Sequence, residues 1–121
     1  MTCVFCRIAA GELSSKKLHE DELVFAIRDL HPQAPTHVLV IPRAHVASLW
    51  ELADERLAGR LLAVAAQVAR AEGLASGWRL IANTREHAGQ EVAHLHLHVL
   101  GGRPLGRMLS AEPGSTPPFS S

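Results

Sequence analysis

Between His94 and Val99 the chain reads His-Leu-His-Leu-His-Val. Successive side chains of extended backbone point to opposite faces, so this order gathers His94, His96 and His98 on one face. Leu95, Leu97 and Val99 take the other face and pack into a core. Imidazole changes its proton near neutral pH, and the neutral ring is also a nucleophile and a metal ligand. Three such rings in strict alternation, backed by aliphatic residues, make this the stretch around which the chain is organised.

A length of 121 residues fits one domain with a core of its own, and the formal net charge is zero. That balance argues against a nucleic-acid backbone or an anionic membrane as partner. Apolar runs such as Leu61 to Ala66 are too short to span a bilayer, and Met1 to Ala10 lacks the apolar core of a secretory signal. A cytoplasmic protein is expected. Cys3 and Cys6 form a C-x-x-C, which in a reducing compartment reads as a metal or redox pair rather than a structural disulfide.

Taken in order, residues 4 to 10 read as a short helical turn stopped by Gly11. Lys17–Glu20 and Leu23–Arg28 read as a hairpin around Glu20-Asp21-Glu22. Thr36–Ile41 is β-branched and apolar, as suits a central strand covered on both faces, and Pro42 ends it. Ala47–Leu52 reads as a helical turn. Asp54 caps a helix to about Glu72, with Gly73 as its stop and Leu57, Leu61, Val64 and Val68 as its buried stripe. A second flank of Leu62, Ala65, Ala66 and Ala69 is wide enough for a sheet and a partner subunit, and Gly59 is expected to mark close packing. Trp78–Ala82 reads as a strand, Asn83–Glu91 as a loop, and the histidine strand as Val92–Leu100. Residues 1–109 form the domain, and 110–121, rich in Pro and Ser, are expected to be a loose tail. The fold class is α+β, with a mostly antiparallel five-stranded sheet, one long helix and a short N-terminal helix.

The heptad His94-Leu95-His96-Leu97-His98-Val99-Leu100 resembles the His-φ-His-φ-His-φ-φ signature of the histidine triad (HIT) superfamily. Asp29-Leu30-His31-Pro32-Gln33-Ala34-Pro35-Thr36-His37 and the run through Ile41-Pro42-Arg43-Ala44-His45 resemble the upstream half of its Hint branch. The resemblance covers about Cys3 to Leu109. It implies a HIT-like fold, a homodimer, and a nucleotide-binding hydrolase cleaving at the α-phosphate of nucleoside 5′-phosphoramidates, of the AMP-NH2 or AMP-lysine type. A dinucleoside polyphosphate hydrolase, as in the Fhit branch, and a non-catalytic nucleotide or zinc-binding interaction module are the alternatives.

By that resemblance His96 forms a covalent nucleotidyl-histidine, His98 donates to a phosphoryl oxygen, and His94 and His37 complete the catalytic set. Asp29 takes the ribose hydroxyls, and Ile27 and Leu30 wall the base. Asn83, Gly89, Gln90, Glu91 and Val92 surround the phosphate beside His96 and His98. Glu91 stands where animal relatives carry Ser, which leaves the leaving-group preference open. Cys3, Cys6, His45 and His94 match the set with which some bacterial HIT proteins bind structural Zn²⁺, an ion not required for catalysis. His19, His31 and His87 read as surface residues, and Trp50 and Trp78 as packing residues.

Overall fold

The structure, a computed structural model, describes residues 3–109. The expected tail, 110–121, lies outside the described residues. Five strands form one antiparallel sheet: β1 Lys17–Glu20, β2 Val24–Arg28, β3 Thr36–Pro42, β4 Trp78–Ile81 and β5 Leu97–Gly101, in the order β1-β2-β3-β5-β4. A short helix α1, Val4–Ala9, and a long helix α2, Glu55–Ala71, complete the domain.

The β1–β2 turn is built by Asp21, whose Oδ1 accepts from the Leu23 and Val24 N–H groups. His19, expected at the surface, is half-buried, with Nε2 2.6 Å from Asp21 Oδ2. Burial alone would raise the Asp21 carboxyl. Hydrogen bonds from His19, the two backbone N–H groups and Arg60 outweigh it and hold the group well below the usual carboxylate range.

Both faces of the sheet are covered, for a reason visible in β2 and β3. Val24, Ala26, Val38 and Val40 face α2 and meet Leu57, Leu61, Val64, Val68, Leu95, Leu97 and Val99. Phe25, Ile27, Leu39 and Ile41 face the other way, against Phe5 and Ile8 of α1. A strand apolar on both sides must be sandwiched, and α1 supplies the second cover. Asp54 caps α2 by accepting from the Arg56 and Leu57 N–H groups. Gly73 takes φ +74 just past the helix, the left-handed geometry that ends it. Gly59 does not mark close packing, since a Cβ built there meets nothing within 4 Å.

The histidine strand is shorter than expected. Pairing with β3 runs from Thr36↔Gly101 to Val40↔Leu97, and residues 92–96 lie outside the ladder. Their backbone is bonded elsewhere: Leu95 N–H donates to the Val46 carbonyl, and the Val92 carbonyl accepts from Gln90 Nε2. Pro42 closes β3 and has no N–H to continue pairing. The side-to-side alternation survives all the same, with Leu95 beside Leu97 and Val99 in the α2 core. No helix among the described residues is long and apolar enough to cross a membrane.

Two substitutions in α2 separate intrinsic propensity from packing. Leu61→Ala, at a fully buried position, is expected to lower unfolding free energy by about 2–5 kcal/mol. Gly59→Ala, exposed and unobstructed, should raise it by about 0.5–1 kcal/mol. Urea denaturation monitored by circular dichroism measures both, and equal effects would show that the helix is not seated as described.

Candidate active site and metal centre

His98 lies in β5 opposite Leu39 of β3 and Ile81 of β4, which turns its ring to the α1 face of the sheet. His37, opposite Leu100, stands beside it on β3. The Gln33 N–H donates to His37 Nδ1 at 3.0 Å, so that nitrogen carries a lone pair and the proton of the neutral ring sits on Nε2. His37 Nε2 lies 2.8 Å from His98 Nδ1 and 3.5 Å from Asp29 Oδ2, and the shorter contact takes the proton. His98 Nδ1 thus accepts, and its own proton is directed to Nε2, the opposite edge of the ring. Burial first, then the charges of His96 and His37, hold His98 down to about 4 against the opposing pull of Asp29. His37 is lowered too, chiefly by burial.

His96 is ordered in the opposite sense. Its Nδ1 is 2.8 Å from the His94 carbonyl oxygen, which can only accept, so Nδ1 carries the proton and Nε2 is left with a free lone pair. The rings of His96 and His98 stand 5.0 Å apart, and the edge of Phe5 packs on His96 with centroids 5.2 Å apart. An imidazole with an unprotonated Nε2 next to one with an Nε2–H forms a nucleophile beside a hydrogen-bond donor.

His94 has 0% relative exposure, and both its ring nitrogens have partners outside that pair. Nε2 is 2.8 Å from the Pro42 carbonyl and donates to it, leaving the Nδ1 lone pair among other donors. Cys3 Sγ lies 3.3 Å from Nδ1, Cys6 Sγ 3.5 Å, and His45 Nδ1 3.2 Å. The four ligand atoms lie within 4.8 Å of one another, a Cys2His2 set able to hold a metal ion. His94, expected both as a catalytic group and as a ligand, therefore has neither ring nitrogen open to a substrate.

The nucleotide-binding expectations divide. Asp29 lies next to the His37–His98 pair, but its Oδ1 accepts from the His31 N–H. Ile27 is buried among Phe5, Ile8 and Leu39, whereas Leu30 is 90% exposed. Gln90 ties its loop to a neighbouring segment: Oε1 accepts from the Arg85 N–H, and Nε2 donates to the Ala47 and Val92 carbonyls. The Gly89 N–H closes a turn on the Glu86 carbonyl. Asn83 is half-buried, Val92 packs against the α1-side core, and Glu91 is exposed. Trp50 is not a packing residue. It is 74% exposed, with the Arg85 guanidinium 5.4 Å from its ring centroid and Arg85 paired to Glu51. Trp78 lies on the edge strand and is also part exposed.

Phe5 and the Gln33 N–H were not legible as site residues. Phe5 does sit between the two cysteines, so any reading that brings Cys3 and Cys6 to His94 carries Phe5 with them. No sequence signal marks a backbone N–H that orders a ring.

A HIT domain family model matches residues 10–105. The chain is 47% identical over 110 residues to the purine nucleoside phosphoramidase of Escherichia coli (strain K12), across 88% of this chain and 92% of the relative. The solved histidine triad protein from Clostridium difficile is similar with a TM-score of 0.84 and 41% identity, covering 88% of this chain and 96% of that one. The HIT family hydrolase from Legionella pneumophila Philadelphia 1 gives 0.83 at 44% identity, over 87% and 96% of the two chains. With its family model spanning most of the domain and the ordered histidines in one row, this chain belongs to the HIT family and is one of its hydrolases.

Proposed function

We propose that the enzyme hydrolyses nucleoside 5′-phosphoramidates, of the AMP-NH2 or AMP-lysine type, through a covalent nucleotidyl-His96. The observation that carries this reading is the opposite ordering of two neighbouring rings, Nε2 bare on His96 and protonated on His98. The resemblance to a purine nucleoside phosphoramidase supports the substrate class.

Attack of His96 Nε2 on the α-phosphorus forms the N–P bond as the P–N bond to the amine breaks, the departing nitrogen taking up a proton from solvent. Water then attacks phosphorus, the His96 N–P bond breaks with its electron pair returning to Nε2, and the water's proton is lost to solvent as the nucleotide is released. As the bond to phosphorus forms, the His94 carbonyl stabilises the positive charge that develops at Nδ1–H. His98 Nε2–H donates to the phosphoryl oxygens, where negative charge accumulates. His37 holds His98 in that tautomer and is itself held by Gln33. Asp29 takes the ribose hydroxyls through Oδ2, and Ile27 offers an apolar wall to the base. Asn83 and the backbone of Gly89–Val92 border the phosphate, with Glu91 directed outward toward the leaving group.

Zinc fits the Cys3, Cys6, His45 and His94 set, since two thiolates and two imidazole lone pairs make an ordinary closed tetrahedral site. Bound there it would cross-link the N-terminus to residue 94, outside the chemistry at phosphorus. A homodimer is part of the same reading. Leu62 on α2 and Trp78 and Leu80 on the edge strand β4 are exposed apolar residues.

His96→Ala is expected to lower hydrolysis of an AMP-lysine substrate by on the order of 10³-fold or more while AMP binding is kept. Intact-protein mass spectrometry of wild type quenched during turnover should find the nucleotidyl adduct on His96. Turnover without any adduct, or a preference for dinucleoside polyphosphates, would refute the reading. Metal analysis of purified protein should find about one zinc per chain, absent from a Cys3→Ser/Cys6→Ser variant. Chelation should lower the melting temperature of wild type and leave that variant unmoved.

The lowered His98 has a consequence for stability. The unfolded chain binds a proton on this histidine below its ordinary 6.5, while the folded chain stays neutral there until about 4. Stability is therefore fully present above 6.5 and is lost as pH falls toward 4, by on the order of 3 kcal/mol for this group. His98→Asn should shallow the fall in urea midpoint between pH 7 and pH 4.5, and an unchanged slope would contradict the assignment.

A further inference from the structure

The Cys3–Cys6 turn touches His96 by two separate routes. The first runs through the backbone of one residue. The His94 ring is the buried ligand, held by Pro42 O at Nε2 and facing the thiols at Nδ1, while the carbonyl of the same residue accepts the His96 Nδ1–H. Whatever fixes the ring of residue 94 limits where its carbonyl can point. The second route runs through Phe5, between the two cysteines and buried in the α1-side core. Its ring meets His94 edge-on at 5.7 Å and His96 at 5.2 Å, spanning the ligand and the neighbouring imidazole at once. Aromatic pairs in this geometry favour one relative orientation over others.

These contacts leave the His96 ring little freedom. Its Nδ1 edge is tied to residue 94, one flank meets Phe5, and His98 stands 5.0 Å away. Rotation of χ2 by half a turn would withdraw the Nδ1–H from its carbonyl, put Cδ2 in its place and carry Nε2 to the position now held by Cε1. The partner contributed from outside the sheet in this arrangement is the N-terminal turn, the first turn of α1. It joins the sheet through a six-residue helix, and its own cross-link is the Cys3, Cys6, His45 and His94 cluster.

We propose that the Cys3–Phe5–Cys6 turn, locked by a metal ion on Cys3, Cys6, His45 and His94, is a positioning device that holds His96 with Nδ1 protonated and Nε2 free. Phe5 and the His94 carbonyl are its points of contact. The device acts on formation of the nucleotidyl-histidine and leaves nucleotide affinity alone. This rests on the reading of His96 as nucleophile, but the tautomer it fixes is a property of the unliganded protein.

The test uses the full-length metal-loaded protein, its chelated form and Phe5→Leu, which keeps apolar bulk and loses the flat ring edge. Long-range ¹⁵N–¹H NMR of the histidine rings reads the tautomer directly, without substrate. Metal-loaded wild type should show His96 with Nδ1 protonated, and both altered forms should show averaging of the two nitrogens. Single-turnover nucleotidylation should slow about tenfold or more in both, with kcat falling in step and the affinity for AMP by calorimetry changing less than about threefold. A His96 tautomer unmoved in both forms would overturn the proposal. So would loss of AMP affinity at unchanged kcat, which would make Phe5 a wall of the base site instead. If the tautomer moves as expected while wild type never forms an adduct, the positioning device stands and covalent catalysis falls.

Discussion

The hydrogen bond from His96 Nδ1–H to the His94 carbonyl is the contact on which the site depends. It joins residues two apart in the chain, so it is local in sequence, but it forms because residues 92–96 leave the β-ladder. A strand running without a break through residue 94 would have directed that carbonyl along the inter-strand hydrogen-bonding direction, toward a neighbour. Here the neighbouring edge ends at Pro42, whose carbonyl takes the His94 ring instead. The break in β pairing and the ordering of the ring are thus one event.

Two separate sets of hydrogen bonds lie on either side of His96. One passes from His94 to the thiols of the N-terminal turn. The other, Gln33 to His37 to His98, orders a ring by starting from a backbone N–H, a donor that cannot change its protonation near neutral pH. Burial keeps these rings neutral, which is what a tautomer-ordered relay requires, since a doubly protonated imidazole has no acceptor edge. The cost is a site more easily lost in acid than an exposed histidine cluster would be.

The sandwich around the sheet explains why the histidines are on the α1 side. Helix α2 is long and covers its face of the sheet with aliphatic side chains, leaving no polar gap. Helix α1 has six residues and covers only part of the other face, mainly with Phe5 and Ile8. The remaining area is where His96, His98, His37 and Asp29 gather. A short cover leaves a partly dry, partly open surface, suited to burying rings while leaving the Nε2 edges of His96 and His98 without an engaged partner.

Periodicity made much of this legible beforehand. The alternation of His94–Val99 separated rings from aliphatics, the Asp54 to Gly73 pattern bounded the long helix, and the β-branched run at Thr36–Ile41 marked a central strand. These are consequences of repeat geometry, which the covalent chain carries in itself. The Hint-like motifs then brought Cys3, Cys6, His45 and His94 together, and the structure brings their ligand atoms within 4.8 Å. Tertiary structure alone decided which nitrogen of His98 and of His94 is protonated, because their tautomers are selected by partners distant in sequence, His37 for His98 and Pro42 for His94. It alone engaged Gln90 with Arg85, Ala47 and Val92, left Leu30 and Trp50 in solvent, and laid Phe5 against His96. Residue type and spacing state what a side chain can do; only the packed neighbours state which of its atoms remain free to do it.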